Sequence, residues 1–244
     1  MSDAHLGIAM PGYDHRENDL FAFFDHIAID AQELYIVGDL FDFWIEYKYA
    51  IRPDYYKAIF RLLKLVESGV TVHYLAGNHD FALGTFLRDT IGLQIHQEHL
   101  VTDIQNKKVH LYHGDGLAKN DVGYRLLKKI LRNPVNQKFY KMLHPDIGVP
   151  LGSFFSGSSR KMLANWMTDA KLAEYRAAAK RYLDESDIVI FGHTHRYEIT
   201  RFGEKTYVNT GEWIRKYSYA KMENGNISLW QWFKDRPAEE IKSL

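Results

Sequence analysis

The sequence contains no cysteine, and this absence excludes several classes of site together. Without thiols the chain cannot form disulfides, use a thiolate nucleophile, or hold zinc or iron–sulfur clusters through cysteine. Long apolar runs are also missing: runs such as 34–37 and 188–191 have the length of a buried strand. No basic segment followed by an apolar one marks a signal peptide. We therefore expect a cytoplasmic protein.

The sequence also lacks an excess of charge of either sign. Lys+Arg and Asp+Glu number 31 each, so the net charge is zero with histidine neutral. This balance leaves no excess of positive charge with which to bind nucleic acid in general, and we expect no nucleic-acid partner. The 244 residues, 46% of them hydrophobic and 25% charged, have an ordinary globular composition. We expect one domain over residues 1–244.

Strand and helix patterns alternate along the chain. Helices are predicted over 19–29 and 53–68, and strands over 33–37, 70–75, 93–95, 100–104, 109–112, 188–191, 197–201, 205–208, 218–222 and 227–232. The stretch 121–183 is helical in pattern, with a loop predicted over 145–159 because proline, glycine and serine cluster there. Asn224-Gly225 predicts a tight hairpin. The sequence thus indicates an α/β body with parallel strands and a helical insertion.

Five short motifs follow the predicted strands or open the chain. They are Asp3-Ala4-His5, Gly38-Asp39-Leu40-Phe41-Asp42, Gly77-Asn78-His79-Asp80, His113-Gly114-Asp115 and Gly192-His193-Thr194-His195. The carboxyl ends of parallel strands meet at one edge of a sheet, where ligand sites of open α/β folds collect. The first four motifs lie one supersecondary unit apart, the length of a strand–crossover–strand step. The last interval is about twice as long, which leaves room for an insertion of about 40 residues.

The side chains of these motifs form a mixed set of oxygen and nitrogen donors. Such a set suits a pair of divalent ions of the Mn, Fe, Co or Zn kind, and it is too rich in nitrogen for Ca or Mg alone. Two ions about 3.5–4 Å apart need a bridging ligand, for which a carboxylate is suited. A motif of this kind on its own is more often a turn, but all five in order favour metal binding. Asp80 and Asp115 are interpreted either as carboxylates that orient ligands or as helix N-caps. The other histidines, His110 among them, are interpreted as surface or core residues.

The ordered set of motifs resembles the calcineurin-like metallophosphoesterase superfamily over residues 3–195. Within it, residues 2–7, residues 38–44, and His113-Gly114-Asp115 with the following Asp121 and Tyr124 are similar to the UDP-2,3-diacylglucosamine pyrophosphatases of lipid A synthesis. In one respect the chain departs from the best-studied branch of that family, which has arginine where this chain has His79. Other branches, and the superfamily at large, have histidine there.

The resemblance implies a four-layer αββα sandwich, with two facing sheets and helices outside, and a two-metal site. One ion would be held by Asp3, His5, Asp39 and His195, and the other by Asp39, Asn78, His113 and His193, so that Asp39 bridges. Mn²⁺ is the expected metal, with Fe, Co, Zn and Mg as alternatives. A hydroxide that bridges the ions would attack phosphorus. His79 would protonate the leaving oxygen or stabilise phosphoryl charge, and Asp42 is the motif-matched residue to orient the His79 imidazole.

The resemblance also implies a substrate, the lipid-linked sugar nucleotide UDP-2,3-diacylglucosamine, cleaved at its pyrophosphate to UMP and 2,3-diacylglucosamine 1-phosphate. The insertion, about 119–169, would supply an acyl-chain pocket. Its apolar residues are Phe139, Tyr140, Met142, Leu143, Phe154, Phe155, Trp166 and Met167, and the alternative is that they form the core of the insertion itself. Asp121 and Tyr124 are predicted to contact the glucosamine, and Arg160 and Lys161 the phosphate. Basic residues beside apolar ones also suit a peripheral position on the inner membrane.

Other interpretations stay open. A cyclic-nucleotide or generic phosphodiesterase or phosphatase of the same superfamily would carry the same metal motifs. A non-catalytic scaffold on this fold is a further alternative, although such scaffolds lose ligands and this chain has the full set. Only Met1 and Ser2 precede Asp3, where relatives have an apolar strand. We expect either a start internal to the natural reading frame, or a truncated first strand that holds Asp3 and His5 loosely.

Overall fold

The structure, a computed structural model, describes residues 1–8, 12–13, 15–119 and 121–241, without the side chains of 159–166. Its helices are α1 (Arg16–Ile27), α2 (Tyr56–Glu67), α3 (Val122–Arg132), α4 (Pro134–Tyr140), α5 (Pro145–Trp166) and α6 (Asp169–Leu183). Its strands are β1 (Glu33–Val37), β2 (Thr71–Leu75), β3 (Gln94–His96), β4 (Leu100–Ile104), β5 (Lys107–Tyr112), β6 (Ile188–Phe191), β7 (Tyr197–Phe202), β8 (Lys205–Thr210), β9 (Ser218–Glu223), β10 (Asn226–Gln231) and β11 (Glu239–Glu240). A short 3-10 turn (Pro53–Tyr55) precedes α2, and a short π-helical segment (Phe86–Thr90) precedes β3.

The strands form three sheets. Strands β1, β2 and β3 pair in parallel, and β4-β5-β6-β8-β7 form a five-stranded sheet whose central members, β5, β6 and β8, are parallel. Strands β9, β10 and β11 form an antiparallel sheet, and the predicted Asn224-Gly225 hairpin joins β9 to β10 with both residues at positive φ. The parallel centres bring the carboxyl ends of β1, β2, β5 and β6 to one edge of the molecule.

Three apolar clusters hold the layers together. One joins α1 and α2 to the β1–β3 sheet, because Leu34 and Ile36 point to the helices. A second lies between the sheets and includes Val37 and Leu111, and a third packs α6 against the outer face of the five-stranded sheet through Tyr175. Helix, sheet, sheet and helix therefore stack in the predicted αββα order, and the expected fold class is confirmed.

Residues 1–6 lie beside β1, in the place where a strand was expected. The backbone N–H of Val37 donates to the Met1 carbonyl, and the N–H groups of Asp3 and His5 donate to the carbonyls of Gly38 and Asp39 at 3.1 and 3.0 Å. The Asp3 and His5 side chains are fully buried. The prediction that these two residues are loosely held is therefore wrong.

The predicted loop over 145–159 is also wrong, since these residues lie in helix α5. The cluster of small residues has a packing role there: a Cβ on Gly148 would overlap the Tyr47 hydroxyl, and one on Gly152 would overlap the Phe43 ring. The glycines let the helix lie directly against the segment after β1. Contact with the body thus outweighs a local composition typical of loops.

Among the described residues, no helix is both long and apolar enough to cross a membrane.

Candidate metal centre

The five sequence motifs meet at one edge of the sandwich. Asp39 follows β1, Asn78 follows β2, His113 follows β5 and His193 follows β6, while Asp3 lies on the segment beside β1. Each turn comes directly after a buried strand, so each side chain is presented from a fixed backbone. The sequence order and spacing of the motifs predicted this meeting point correctly.

The first group of donor atoms comes from Asp3, His5 and His195, whose ligand atoms all lie within 4.8 Å of one another. The Nε2 atoms of His5 and His195 are 3.3 Å apart, and Asp3 Oδ1 lies 3.3 Å from His195 Nε2. Asp39 Oδ2 lies 3.9 Å from His5 Nε2. This arrangement matches the first predicted ligand set and could hold one ion.

The second group lies on the other side of Asp39. Asp39 Oδ2 is 3.3 Å from His113 Nε2, and Asn78 Oδ1 is 3.0 Å from that same nitrogen and 2.8 Å from His193 Nδ1. His113 Nδ1 donates to the Val37 carbonyl at 2.8 Å, which leaves its Nε2 lone pair for the site. Asp39, the residue predicted to bridge, lies between the two groups, and Asp3 also clusters with Asp39 and His113.

The backbone at this site is strained. Asp3, His5, Asp39, His193 and His195 all have φ between 44° and 65°, the left-handed region that side chains with a Cβ seldom adopt. Such strain persists only where the surrounding structure imposes it, and it clusters at functional sites. The glycines before Asp39 and His193 fit the same tight turns, because a Cβ on Gly38 would overlap the His113 ring.

Asp80 ties two of the motif turns together. Its carboxylate accepts the backbone N–H groups of Asp39 at 3.1 Å, Phe41 at 3.3 Å and Gly77 at 2.8 Å, and it also contacts the Tyr74 hydroxyl. Burial, followed by the neighbouring Asp39, raises the pKa of Asp80 to about 6. Of its two interpretations, the one as a helix cap is wrong, and Asp80 supports the turns that carry Asp39 and Asn78.

The charges of the site favour a cation. Burial alone would raise the pKa of Asp39, but His113, His79 and His5 hold it well below its usual range. Burial alone would lower the pKa of His113, yet Asp39, with smaller contributions from Asp3 and Asp115, raises it to about 10. Burial and the charge of His113 lower the pKa of His193 to about 4. The carboxylate of Asp39 thus favours positive charge beside it.

The donor set fits divalent ions. Asp3 Oδ2 accepts the His193 backbone N–H at 3.0 Å, whereas Asp3 Oδ1 makes no hydrogen bond with any described residue and faces His195 and His5. A buried carboxylate oxygen directed at two imidazole nitrogens is a ligand arrangement typical of such ions. Residues of all five motifs contribute donors to the two groups.

His79 lies at the rim of these groups. Its Nε2 is 3.9 Å from Asp39 Oδ2, and its ring meets that of His5 edge-on at 4.7 Å between centroids. Its Nδ1 is 3.1 Å from the Asp42 carbonyl oxygen and contacts the Ser156 hydroxyl. Burial lowers the pKa of His79 against the opposing effect of Asp39. The structure thus brings His79 and Asp42 together, mainly through the Asp42 backbone, since the Asp42 carboxylate is 3.9 Å from Nδ1.

The predicted substrate contacts are only partly brought to the site. The Tyr124 hydroxyl donates to Asp115 Oδ2 at 2.8 Å. Because Asp115 is two residues after His113, this bond holds Tyr124 near the site. Asp121 directly precedes α3 and is half-buried. Arg160 and Lys161 lie in α5, but their side chains are outside the described residues.

Sequence reasoning missed several residues that support the site. Buried Arg16 donates to the His5 carbonyl at 2.9 Å, and the buried Glu212 carboxylate lies 4.0 Å from His195 Nδ1. From the insertion, Arg132 donates to the Gly77 carbonyl at 2.9 Å, and Ser156 donates to the Asp42 carbonyl at 2.5 Å. All these residues are distant in sequence from the groups that they contact. The one sequence signal was the long interval between His113 and His193, which predicted an insertion that could supply Arg132 and Ser156.

Asp115 links the insertion to the site. Burial alone would raise its pKa, but Lys128, His113 and Arg132 hold it well below the usual range. Lys128 Nζ is 3.0 Å from Asp115 Oδ2. Of its two interpretations, the helix cap is wrong: the carboxylate anchors α3 next to His113.

The chain is similar to several known proteins. A family model described as Calcineurin-like phosphoesterase matches residues 1–197. UDP-2,3-diacylglucosamine hydrolase of Porphyromonas gingivalis is 30% identical, over 93% of this chain and 94% of that protein. The protein of that name in Haemophilus influenzae is 28% identical over 91% and 93%. Among solved structures, a Vps29 double mutant of Entamoeba histolytica aligns with a TM-score of 0.47 at 17% identity, covering 99% and 96% of the two chains. An archaeal phosphodiesterase aligns with a TM-score of 0.46 at 15% identity and the same coverage.

Proposed function

The chain belongs to the calcineurin-like phosphoesterase family and is a metal-dependent hydrolase, and from this premise we propose that it cleaves the pyrophosphate of UDP-2,3-diacylglucosamine. The products would be UMP and 2,3-diacylglucosamine 1-phosphate. The relatives named for this substrate align over nearly the whole chain. The observation that carries the proposal is the apolar outer surface of that insertion beside the metal centre.

We assign the metal ligands as the motifs predict. Asp3, His5, Asp39 and His195 would hold one divalent ion, and Asp39, Asn78, His113 and His193 the other, with Mn²⁺ as the first candidate. Bound there, the ions would supply a water activated for attack on phosphorus and would neutralise phosphoryl charge. The convergence of these donor atoms on Asp39 Oδ2, together with the orphaned Asp3 Oδ1, supports this assignment.

His79 would act on the leaving oxygen. Its Nε2 faces the centre while its Nδ1 is held by the Asp42 carbonyl, so the ring has one orientation toward a bound phosphate. A buried imidazole at this position can donate a proton or stabilise phosphoryl charge. Asp42 would orient the ring chiefly through its main chain.

The surface of the insertion supports a lipid substrate. The large apolar side chains that stay exposed concentrate between 122 and 155; they are Val122, Leu126, Leu127, Ile130, Leu131, Val135, Phe139, Met142, Leu143, Ile147, Leu151, Phe154 and Phe155. Helix α3 has no buried residue and presents Lys128 and Arg132 to the body, so its apolar residues face outward. This is the reverse of an ordinary amphipathic helix.

The exposure of these residues bears on the alternative interpretation, in which they form the core of the insertion itself. The interpretation of these residues as a core is wrong for Phe139, Met142, Phe154 and Phe155, which are exposed, whereas Met167 is buried in the cluster under α6. Contiguous exposed apolar patches mark ligand grooves or contacts with proteins and membranes. We assign this surface to the acyl chains and to a peripheral position on the cytoplasmic face of the inner membrane.

We further assign the polar contacts of the substrate as the family motif implies. Asp121 and Tyr124 would contact the glucosamine, and Arg160 and Lys161 the phosphate. Tyr124 supports this assignment, since its hydroxyl is fixed by Asp115 two residues from His113.

A turnover assay tests the proposal. UMP release from UDP-2,3-diacylglucosamine is measured with Mn²⁺ or Mg²⁺ added, beside hydrolysis of bis-p-nitrophenyl phosphate and a cyclic nucleotide. We expect efficient, metal-dependent UMP release and weak diester hydrolysis. Strong hydrolysis of either diester without UMP release would instead support a generic or cyclic-nucleotide phosphodiesterase.

A further inference from the structure

One face of helix α5 is built for close approach to the metal centre. Gly148, Gly152 and Ser156 are four residues apart and therefore share a face. A Cβ at either glycine would overlap Tyr47 or Phe43, so the helix lies closer to segment 42–47 than a helix with larger residues could. Ser156, the third member of this face, is buried at the end next to Asp42 and His79.

The hydrogen bonds around Ser156 define the state of the His79 ring. A carbonyl oxygen only accepts, so the 3.1 Å contact of the Asp42 carbonyl with His79 Nδ1 requires a proton on Nδ1. The Ser156 hydroxyl donates to the same carbonyl at 2.5 Å and accepts from Nδ1 in turn. Nε2 is then the ring nitrogen that faces Asp39 Oδ2, and it protonates the leaving oxygen only after it has taken up a proton from solvent, so that the ring acts as the imidazolium.

We propose that Ser156 is a positioning residue for His79, carried to it by the insertion. The hydroxyl fixes the ring so that Nε2, and not Nδ1, meets the leaving oxygen. The insertion, which would bind the substrate, thereby also sets the orientation of the group that acts on it. This inference rests on the role given to His79 in the proposed function.

The first test uses aryl methyl phosphates whose leaving groups range from p-nitrophenol to phenol. In Ser156→Ala we expect kcat for the poorest leaving group to fall about 10- to 100-fold, the usual cost of removing a partner that orients a functional side chain. The p-nitrophenyl ester should change little, so the dependence of rate on leaving-group pKa becomes steeper. Ser158→Ala is the matched control, because this exposed serine, two residues on, bonds only the Phe154 carbonyl of its own helix among the described residues.

A double-mutant cycle separates positioning from a general structural effect. His79→Ala alone should lower kcat for the poorest leaving group about 10²- to 10⁴-fold. Adding Ser156→Ala to it should cost little more, because the serine acts through the ring. A full additional loss in the double variant, or an equal loss on every ester, would overturn the proposal.

A second measurement needs no turnover. In Mg²⁺-loaded protein, nitrogen-15 NMR of the imidazole rings, with His79→Ala to identify the signal, should show His79 protonated at Nδ1 in the wild type and in Ser158→Ala. The Nδ1 proton signal should shift or broaden in Ser156→Ala. An unchanged signal would contradict the proposal. Neither measurement uses the sugar nucleotide, so a failure of UMP release would count against the proposed function alone.

Discussion

At the scale of single residues, Asp39 is the centre of the site. Its Oδ2 lies within 3.9 Å of nitrogens from three histidines, and its Oδ1 accepts the His79 backbone N–H at 2.9 Å. It clusters with His5 and His79 on one side and with Asp3 and His113 on the other. Its removal would therefore disturb donor atoms on both sides of the site.

Asp39→Ala should lose nearly all activity. Two ions without their shared carboxylate would repel each other, and stabilisation of phosphoryl charge by metal is worth several kcal/mol. We expect kcat/KM at least about 10³-fold lower, since each 1.4 kcal/mol is tenfold. Elemental analysis should find fewer than one ion per chain, against two in the exposed control Asp103→Ala. Two retained ions with near-normal turnover would refute the two-metal assignment.

His110 offers a test outside the groups of donor atoms. It is buried under α6, where its Nε2 is 2.8 Å from His99 Nδ1 and its ring meets Tyr182 edge-on. Burial, followed by the charge of His99, lowers the pKa of His110 to about 4. The unfolded chain, with a histidine pKa near 6.5, therefore takes up a proton first as the pH falls.

The free energy of unfolding should accordingly depend on pH through His110. The stability that a neutral, buried imidazole contributes is present above about pH 6.5 and is lost as the pH falls toward 4. Urea unfolding should show a decrease between pH 7 and pH 4 that is about 1–3 kcal/mol larger in the wild type than in His110→Gln. Identical pH profiles for the two proteins would show that His110 is not held neutral.

The sequence motifs predicted which side chains meet at this edge of the sheets, but not the residues that hold them in place. A ligand such as His113 comes with a local signal, because a glycine and a carboxylate flank it and a strand precedes it. A supporting residue such as Arg16, Glu212 or Ser156 has no local signal, since its partner is a backbone carbonyl or an imidazole brought near only by the complete fold. Their discovery required the structure.

At the scale of elements, α5 shows where sequence patterns mislead. Proline, glycine and serine within 145–159 indicate a loop, yet the segment is helical with Pro150 inside it. The glycines lower intrinsic helix stability but permit contact with Tyr47 and Phe43. Apart from the two-residue β11, the strands and the helices of the body were predicted within a few residues because their apolar faces repeat with the period of each structure.

A glycine-to-alanine substitution should therefore lower the stability of the protein in α5 and raise it in α3. In α5, Gly152→Ala places a methyl group in the Phe43 ring, and overpacking of this kind costs about 1–3 kcal/mol. In α3, Gly123→Ala meets nothing within 4 Å and should gain about 0.5–1 kcal/mol of helix stability. Thermal unfolding of both variants measures the effect. If Gly152→Ala is as stable as Gly123→Ala, α5 does not lie against Phe43.

At the scale of the whole molecule, the insertion is not a detachable lid. Its basic residues Lys128 and Arg132 contact Asp115 and the Gly77 carbonyl next to ligand positions, and Ser156 reaches Asp42. Replacing about 119–169 with a linker would therefore disturb the metal centre as well as substrate binding. A decisive experiment has to change the outer surface of the insertion and leave its inner contacts in place.

Phe139 and Phe154 allow such an experiment, since they are 66% and 69% exposed. The variant with both Phe→Ser changes should keep two ions and its activity on bis-p-nitrophenyl phosphate, because no inner contact is lost. Its kcat/KM for UDP-2,3-diacylglucosamine should fall about 10²-fold or more, as about four methylenes of acyl contact at about 0.8 kcal/mol each are worth about 3 kcal/mol. Its binding to anionic phospholipid vesicles, measured by co-sedimentation, should weaken in parallel.

Ile29→Ser provides the control, because Ile29, just after α1, is 82% exposed and distant in sequence from the insertion. Removing apolar surface there should change neither vesicle binding nor selectivity for the diacyl substrate. If the control and the double Phe→Ser variant behave alike, or if the latter loses activity equally on both substrates, the apolar surface of the insertion does not bind acyl chains. The proposal of a lipid enzyme would then lose its support, and a generic phosphodiesterase would be the better proposal. The metal centre alone does not distinguish the two functions.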